Sequence, residues 1–260
     1  MEILFLLACG LIMGLLGGVL GIGGGVIAVP ALFFLFTYTG AFPSHSMQVA
    51  VGTSLASSLF ISLLSSSLQL SKGAISFPAL KCFAPGLGIG CICGAILSHF
   101  FSSELLRHIF GLGALLIGMY FAIPGLRRVS IATSPNRSLA AFGLAIGTLS
   151  SLLGIGGGIL AFPTFLGYGM EPKASSATSA CTTTISTLIG TLAYLFIAWD
   201  NHKLPNTLGY IDIPAFFTIS LAALLSTPLG VKLSHTLDTR LMKRIFGVSL
   251  SLIGITMLIL

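Results

Sequence analysis

Charge is what this chain is short of. Asp, Glu, Lys and Arg make up only 7% of its 260 residues, against about 25% in a soluble domain. From Ile3 to Gln69, and again from Ser138 to Met170, there is none. That scarcity excludes a water-soluble fold. Several apolar runs exceed the roughly 20 residues needed to cross a bilayer core. The expected class is therefore an all-α polytopic integral membrane protein, whose first partner is the lipid bilayer. The net charge of +6 then belongs to loops and sets orientation; it is no argument for a nucleic-acid partner.

Other absences remove whole chemistries. Cys9, Cys82, Cys91, Cys93 and Cys181 contain no C-x-x-C pair, and Cys91-x-Cys93 has the wrong spacing for one helical face. Neither a disulfide frame, a zinc site nor a thiol-redox pair is supported, so they read as small buried hydrophobes. No G-x-S-x-G occurs, and His99 and His235 fall at span ends, which leaves an intramembrane hydrolase without its nucleophile and base. No enzyme activity, cofactor or metal is expected. The opening MEILFLLACG imitates a lipoprotein cleavage site, but Glu2 stands where a signal carries Lys or Arg, so it reads as the start of the first helix.

What is present appears twice. Gly14 to Pro30 read GLLGGVLGIGGGVIAVP, and Gly147 to Pro163 read GTLSSLLGIGGGILAFP. A helix interior does not accept four glycines in five residues, since each costs about 1 kcal/mol against Ala. The clusters therefore predict breaks at membrane depth, which survive only where freed N–H and C=O groups face protein or a wet cavity. Close helix packing is the plainer reading of such glycines. No Lys-Ser/Thr follows either GIGGG, which excludes a phosphate-binding loop.

The pattern predicts about eight hydrophobic segments in two homologous repeats, residues 1–126 and 138–260, joined by a basic linker at 127–137. In each repeat a broken element (3–37, 138–168) leads into a hydroxyl-rich helix (45–70, 172–198). A third helix follows (to about 99 in the first half, interrupted by Pro78 and Pro85; about 209–235 in the second), and then a fourth (103–123, 240–260). The second arms of the broken elements, at about 18 and 15 Å, are too short for a ~30 Å core, so each dips in and returns. With that arrangement Lys72, Arg127, Arg128, Arg137, Lys173, Lys232, Arg240, Lys243 and Arg244 lie on one face, against Arg107 and Lys203 on the other. Single spans instead divide Lys and Arg five against six. Nine against two satisfies the positive-inside rule. It makes the repeats inverted, puts both termini outside the cytoplasm, and brings the two tips to the midplane from opposite faces, as in many secondary transporters.

Each cluster begins a helical arm whose free N–H groups carry positive partial charge. Two such ends form an anion site without a charged side chain, from Gly21, Gly23, Gly24 and Gly25 with Gly154, Gly156, Gly157 and Gly158. Thr53, Ser54, Ser57, Thr178, Ser179 and Thr182 offer hydroxyl donors at corresponding positions, or else bond their own helix backbone. Lys81 is placed within a span, about 12 Å from the nearest loop, where an ionisable group either attracts substrate or snorkels.

The paired G-x-G-G-G-x-x-x-x-P, followed by Gly52-Thr53-Ser54 or Ala177-Thr178-Ser179, resembles the sulfite exporter TauE/SafE family of membrane permeases. The resemblance implies a multi-pass cell (inner) membrane protein that moves small inorganic or organosulfur anions such as sulfite, thiosulfate or sulfonates. It carries onto Gly21, Gly23 to Gly25, Thr53, Ser54, Gly154, Gly156 to Gly158, Thr178 and Ser179. The expected function is secondary transport by alternating access, coupled to a proton or sodium ion. An anion channel or a membrane thiol-redox carrier is the alternative.

Overall fold

The computed structural model describes residues 2–20, 24–70, 75–123, 135–199, 204–234 and 239–259. Among them are ten helices: α1 (Glu2–Leu20), α2 (Gly25–Thr39), α3 (Ser46–Leu70), α4 (Phe77–Phe100), α5 (Ser103–Ala122), α6 (Pro135–Leu153), α7 (Gly158–Gly167), α8 (Pro172–Ile197), α9 (Ile213–Ser234) and α10 (Thr239–Ile259). A short antiparallel hairpin, β1 (Thr207–Leu208) and β2 (Ile211–Asp212), joins α8 to α9. Five stretches, in α3, α4, α5, α8 and α9, are long and apolar enough to cross a membrane. Gly21, Gly23, Lys72, Asp200, Lys203, His235 and the linker as far as residue 134 lie outside the described residues.

Two local expectations change. Residues 209–212 belong to the hairpin and not to the following helix, because Gly209 turns the chain with φ 60° and lets it press on the end of α8. The second change is in α4, which runs unbroken. Pro78 sits in its first turn, where the missing N–H has no helical acceptor to lose, and the helix continues through Pro85.

α3 is the central element, with 78% of its apolar window buried against 44% for each of the other four spanning stretches. It lies antiparallel to α8, since Leu55 meets Gly190 while Ser62 and Ser66 meet Thr187 and Thr184. Around this pair, glycines let backbones touch, the usual way to pack helices in lipid. On α4, Gly86, Gly90 and Gly94 lie against the carbonyls of Ala140, Leu144 and Thr148, so α4 and α6 run parallel. On α1, Gly10 and Gly14 lie against Ile219 and Ala223 of α9, again in parallel. α5 and α10 pair antiparallel through Gly111, Gly118, Gly247 and Gly254.

The short helices come in antiparallel pairs. Glu2 and Phe5, at the start of α1, share a groove with Phe34 and Tyr38 at the end of α2. Phe142, early in α6, meets Tyr168 at the end of α7, their ring centroids 6.2 Å apart. In both pairs the second arm heads back to the end where the first began.

Candidate functional site

α6 ends at Leu153 and α7 begins at Gly158. Between them Gly154 and Gly156 take φ of 64° and 78°, and the cap of α2, Gly24, takes 71°. These are left-handed conformations that cost glycine nothing and other residues strain. Gly157 differs: its φ is −64°. A side chain there is opposed by Leu87 and Ser186 and not by the backbone angle.

The two tips meet. A Cβ on Gly25 would overlap the carbonyl oxygen of Gly154, and Ser54 stands at the junction. Its Oγ lies 3.0 Å from the Gly154 carbonyl oxygen and 3.2 Å from that of Gly25, donating its one proton to either. Gly24, Gly25, Gly154, Gly156, Gly157 and Gly158 are all buried, as are Thr53, Ser54, Ser57, Thr178, Ser179 and Thr182. Gly21 and Gly23 lie outside the described residues.

The hydroxyls divide by what they bond. Thr53 Oγ1 accepts the backbone N–H of Asp212 at 2.9 Å, and Thr178 Oγ1 accepts that of Ser76 at 3.0 Å. Each thus holds the chain entering a spanning helix, α9 or α4. Ser179 and Thr182 donate to carbonyls of their own helix, Ser176 and Ser179. Ser57 Oγ is buried without a partner, and so are the hydroxyls of Ser58, Ser150 and Ser151. Leaving one such group unpaired costs about 1–3 kcal/mol. Ser58 Oγ would stand 3.0 Å from a Cβ on Gly25, and Ser150 and Ser151 lie in the last turn of α6, so these three unpaired donors sit beside the tips.

Not every amide at the second tip is free. Gly157 donates its N–H to Ser186 Oγ at 2.7 Å, and Ile155 donates to the Ser150 carbonyl at 3.3 Å. Ser58, Thr183 beside Gly158, and Ser186 were not among the sequence candidates. The four-residue spacing of Ser54, Ser58 and Ser62 was the available signal for Ser58, since such residues share a helix face. Ser186 carries no comparable signal: the corresponding position of the first half is Ile61.

Lys81 is not brought to the tips. α4 starts at Phe77, so Lys81 is only about 6 Å into the helix by its rise, and it is exposed. Leu87, the α4 residue facing Gly157, is more than a turn further on. Its depth is thus less than the ~12 Å expected, because α4 begins at Phe77.

Residues 6–257 match the family model described as sulfite exporter TauE/SafE. A probable membrane transporter protein of Haemophilus influenzae is 27% identical over 259 residues, covering 98% of this chain and 97% of its own. The probable membrane transporter protein YunE of Bacillus subtilis is 28% identical over 274 residues, covering 98% and 96%. A third, from Methanocaldococcus jannaschii and similarly described, is 26% identical over 260 residues, covering 98% and 94%. No solved structure matches.

Proposed function

The chain belongs to the sulfite exporter TauE/SafE family of membrane transporters, and from that premise we propose that it carries small sulfur-containing anions such as sulfite, thiosulfate or a sulfonate by alternating access. The observation that carries this reading is the meeting of the two glycine tips at Ser54, with the unpaired hydroxyl of Ser58 beside them. A compact oxyanion needs several short donors from a site with no competing cation. Buried hydroxyls and helix-start amides supply them in a low-dielectric interior, where each is worth more than in water.

The alternating-access part rests on inverted repeats, and the packing supports them. Adding 133 to α1 positions 10, 14 and 15 gives 143, 147 and 148 in α6. Adding 136 to α4 positions 83, 87 and 94 gives 219, 223 and 230 in α9. Under these offsets Gly10 against Ile219 becomes Gly143 against Phe83, Gly14 against Ala223 becomes Gly147 against Leu87, and Gly230 against Leu15 becomes Gly94 against Thr148. The bond from Asp212 N–H to Thr53 has its counterpart in that from Ser76 N–H to Thr178. Corresponding helices α3 and α8 run antiparallel, as do α5 and α10. A two-fold axis in the membrane plane produces that relation. With the nine-to-two distribution of Lys and Arg, the end holding Ser76 and the start of α8 faces the cytoplasm, and the end holding Glu2, Glu104 and Asp212 faces out.

The test is uptake of labelled sulfite, thiosulfate and sulfonates into proteoliposomes, with and without proton or sodium gradients. Saturable uptake that responds to a gradient is the expected result. Flux that rises linearly with concentration and ignores both gradients identifies a channel and overturns the carrier.

A further inference from the structure

We propose that His45, His99 and Tyr210 form a one-proton binding site at the outward end of the helices, and that the proton it takes up is the coupling ion. The second half of this proposal rests on the transporter reading above.

The three residues come from separate elements. His45 is the residue before α3, His99 is in the last turn of α4, and Tyr210 is in the turn of the β1–β2 hairpin. His99 Nδ1 lies 3.0 Å from the Tyr210 hydroxyl. The His45 ring stacks on the Tyr210 ring, with centroids 5.7 Å apart and planes 28° from parallel. Tyr210 is almost completely buried, His45 half-buried and His99 exposed, so the two imidazoles open to the surface of the protein while their shared partner does not.

The geometry permits one added proton and opposes two. An imidazolium at His99 donates its Nδ1–H to the phenol oxygen. At His45 the charge instead rests over the ring face, a cation–π arrangement. Both cannot be charged at little cost, because the two rings flank one phenol. Burial and the charge of His99 each push the His45 pKa down, and burial pushes that of Tyr210 up, so the phenol keeps its own proton. Of the other titratable groups of the adjoining elements, Arg107 of α5 donates to the Met257 carbonyl and Glu104 is exposed. Tyr194 of α8 donates to Ser151. Asp212 turns its carboxylate to the Ala215 N–H, and His108 of α5 bonds the Glu104 carbonyl. Asp200, His202 and Lys203 lie outside the described residues.

What this site grips is connected to the tips. The Tyr210 N–H donates to the Tyr194 carbonyl, and the Tyr194 hydroxyl donates at 3.0 Å to the carbonyl of Ser151, three residues before Gly154. Two residues along the hairpin, Asp212 N–H donates to Thr53, the neighbour of Ser54. A proton that tightens or loosens Tyr210 therefore acts on both sides of the Gly25–Gly154 junction. No comparable triad is available at the other end from the sequence correspondence, since Met170 stands where the first half has His45.

Histidine-selective NMR of the full-length protein in detergent tests the site without any substrate. We expect His45 to titrate below the usual imidazole range in the parent protein. In His99→Gln, His45 should titrate in one step at higher pH, and Tyr210→Phe, which keeps the stacked ring, should weaken the coupling. A His45 curve unchanged by either substitution overturns the site. In proteoliposomes an outside-acid gradient should raise wild-type anion uptake several-fold. In the double variant His45→Gln with His99→Gln it should raise uptake less than twofold, with anion exchange at equal pH retained. Wild-type uptake that follows sodium and ignores pH overturns the coupling role. Coupled titration with no uptake of any sulfur anion supports the proton site and counts against the substrate reading alone.

Discussion

Gly25 and Gly154 approach so closely that a single methyl group on the first would overlap the carbonyl oxygen of the second. One glycine starts the returning arm of the first half, and the other ends the entering arm of the second. Their contact joins the two glycine tips, and most of the testable consequences start there.

Gly25→Ala should abolish anion binding and transport. Its methyl group meets the Gly154 backbone and the hydroxyls of Ser54 and Ser58, and such overpacking costs about 1–3 kcal/mol. Gly90→Ala, in the α4–α6 contact, should lower the thermal midpoint by a comparable amount and leave affinity within about twofold. Kd for sulfite and thiosulfate on purified variants, with thermal midpoints alongside, separates the two. Equal loss of affinity in both variants would return the tips to a packing role.

Ser57→Ala and Ser58→Ala offer a cleaner contrast, because these hydroxyls have no partner to lose. Removing an unpaired buried hydroxyl should leave stability unchanged or raise it by about 1 kcal/mol. Loss of a donor to a bound anion, about 1.5 kcal/mol, should weaken binding roughly tenfold. A variant that is more stable and binds less well is the signature of a ligand donor. Unchanged affinity removes these residues from the site.

Asp212 gives a pH-dependent prediction. Burial raises its pKa, more than the bond from Ala215 lowers it. A carboxyl with a raised folded pKa favours the native state most when protonated, and that contribution is lost as pH rises from the ordinary carboxylate range through the folded value. At neutral pH the buried carboxylate is a net cost. Asp212→Asn, which keeps an oxygen for the Ala215 N–H, should therefore be at least as stable as the parent at pH 7. Asp212→Ala should lose about 1 kcal/mol for the missing cap. Denaturation in detergent at pH 5 and pH 7.5 checks both; a less stable Asn variant at pH 7.5 contradicts the assignment.

Orientation is checked by single cysteines in a background without Cys9, Cys82, Cys91, Cys93 and Cys181. Reporters at Gly40 and Glu104 should react with impermeant reagent from outside, and reporters at Arg128 and Lys173 only after the membrane is opened. Labelling of Gly40 and Lys173 from the same side would remove the inversion.

Much of this arrangement was legible in the residues. The apolar runs and their Pro and Gly punctuation place helices close to where α3, α4, α5 and α8 lie, because a bilayer demands backbone bonding within each segment. The hairpin at 207–212 was hidden because Tyr210 and Ile211 are as apolar as the helix that follows. Lys81 lies nearer the helix end than its distance from the loop suggested, because α4 begins only at Phe77. The hydroxyls of Thr53 and Thr178 were visible as a matched pair, yet their partners, Asp212 and Ser76, are fixed only by tertiary packing. The capping of Gly157 by Ser186 was out of reach for the same reason.

The pairing of α1 with α9 also governs how the protein is made. Gly10 and Gly14, near the beginning of the chain, press on Ile219 and Ala223, near its end. At about 5–20 residues per second, some ten to forty seconds of synthesis separate the first helix from its partner. During that interval its glycine face has lipid, or an insertion chaperone, for company. The α4–α6 pair, by contrast, closes as soon as the linker has passed. α1 therefore waits for its partner through the synthesis of every helix between them, whereas α4 waits only for α5 and the linker.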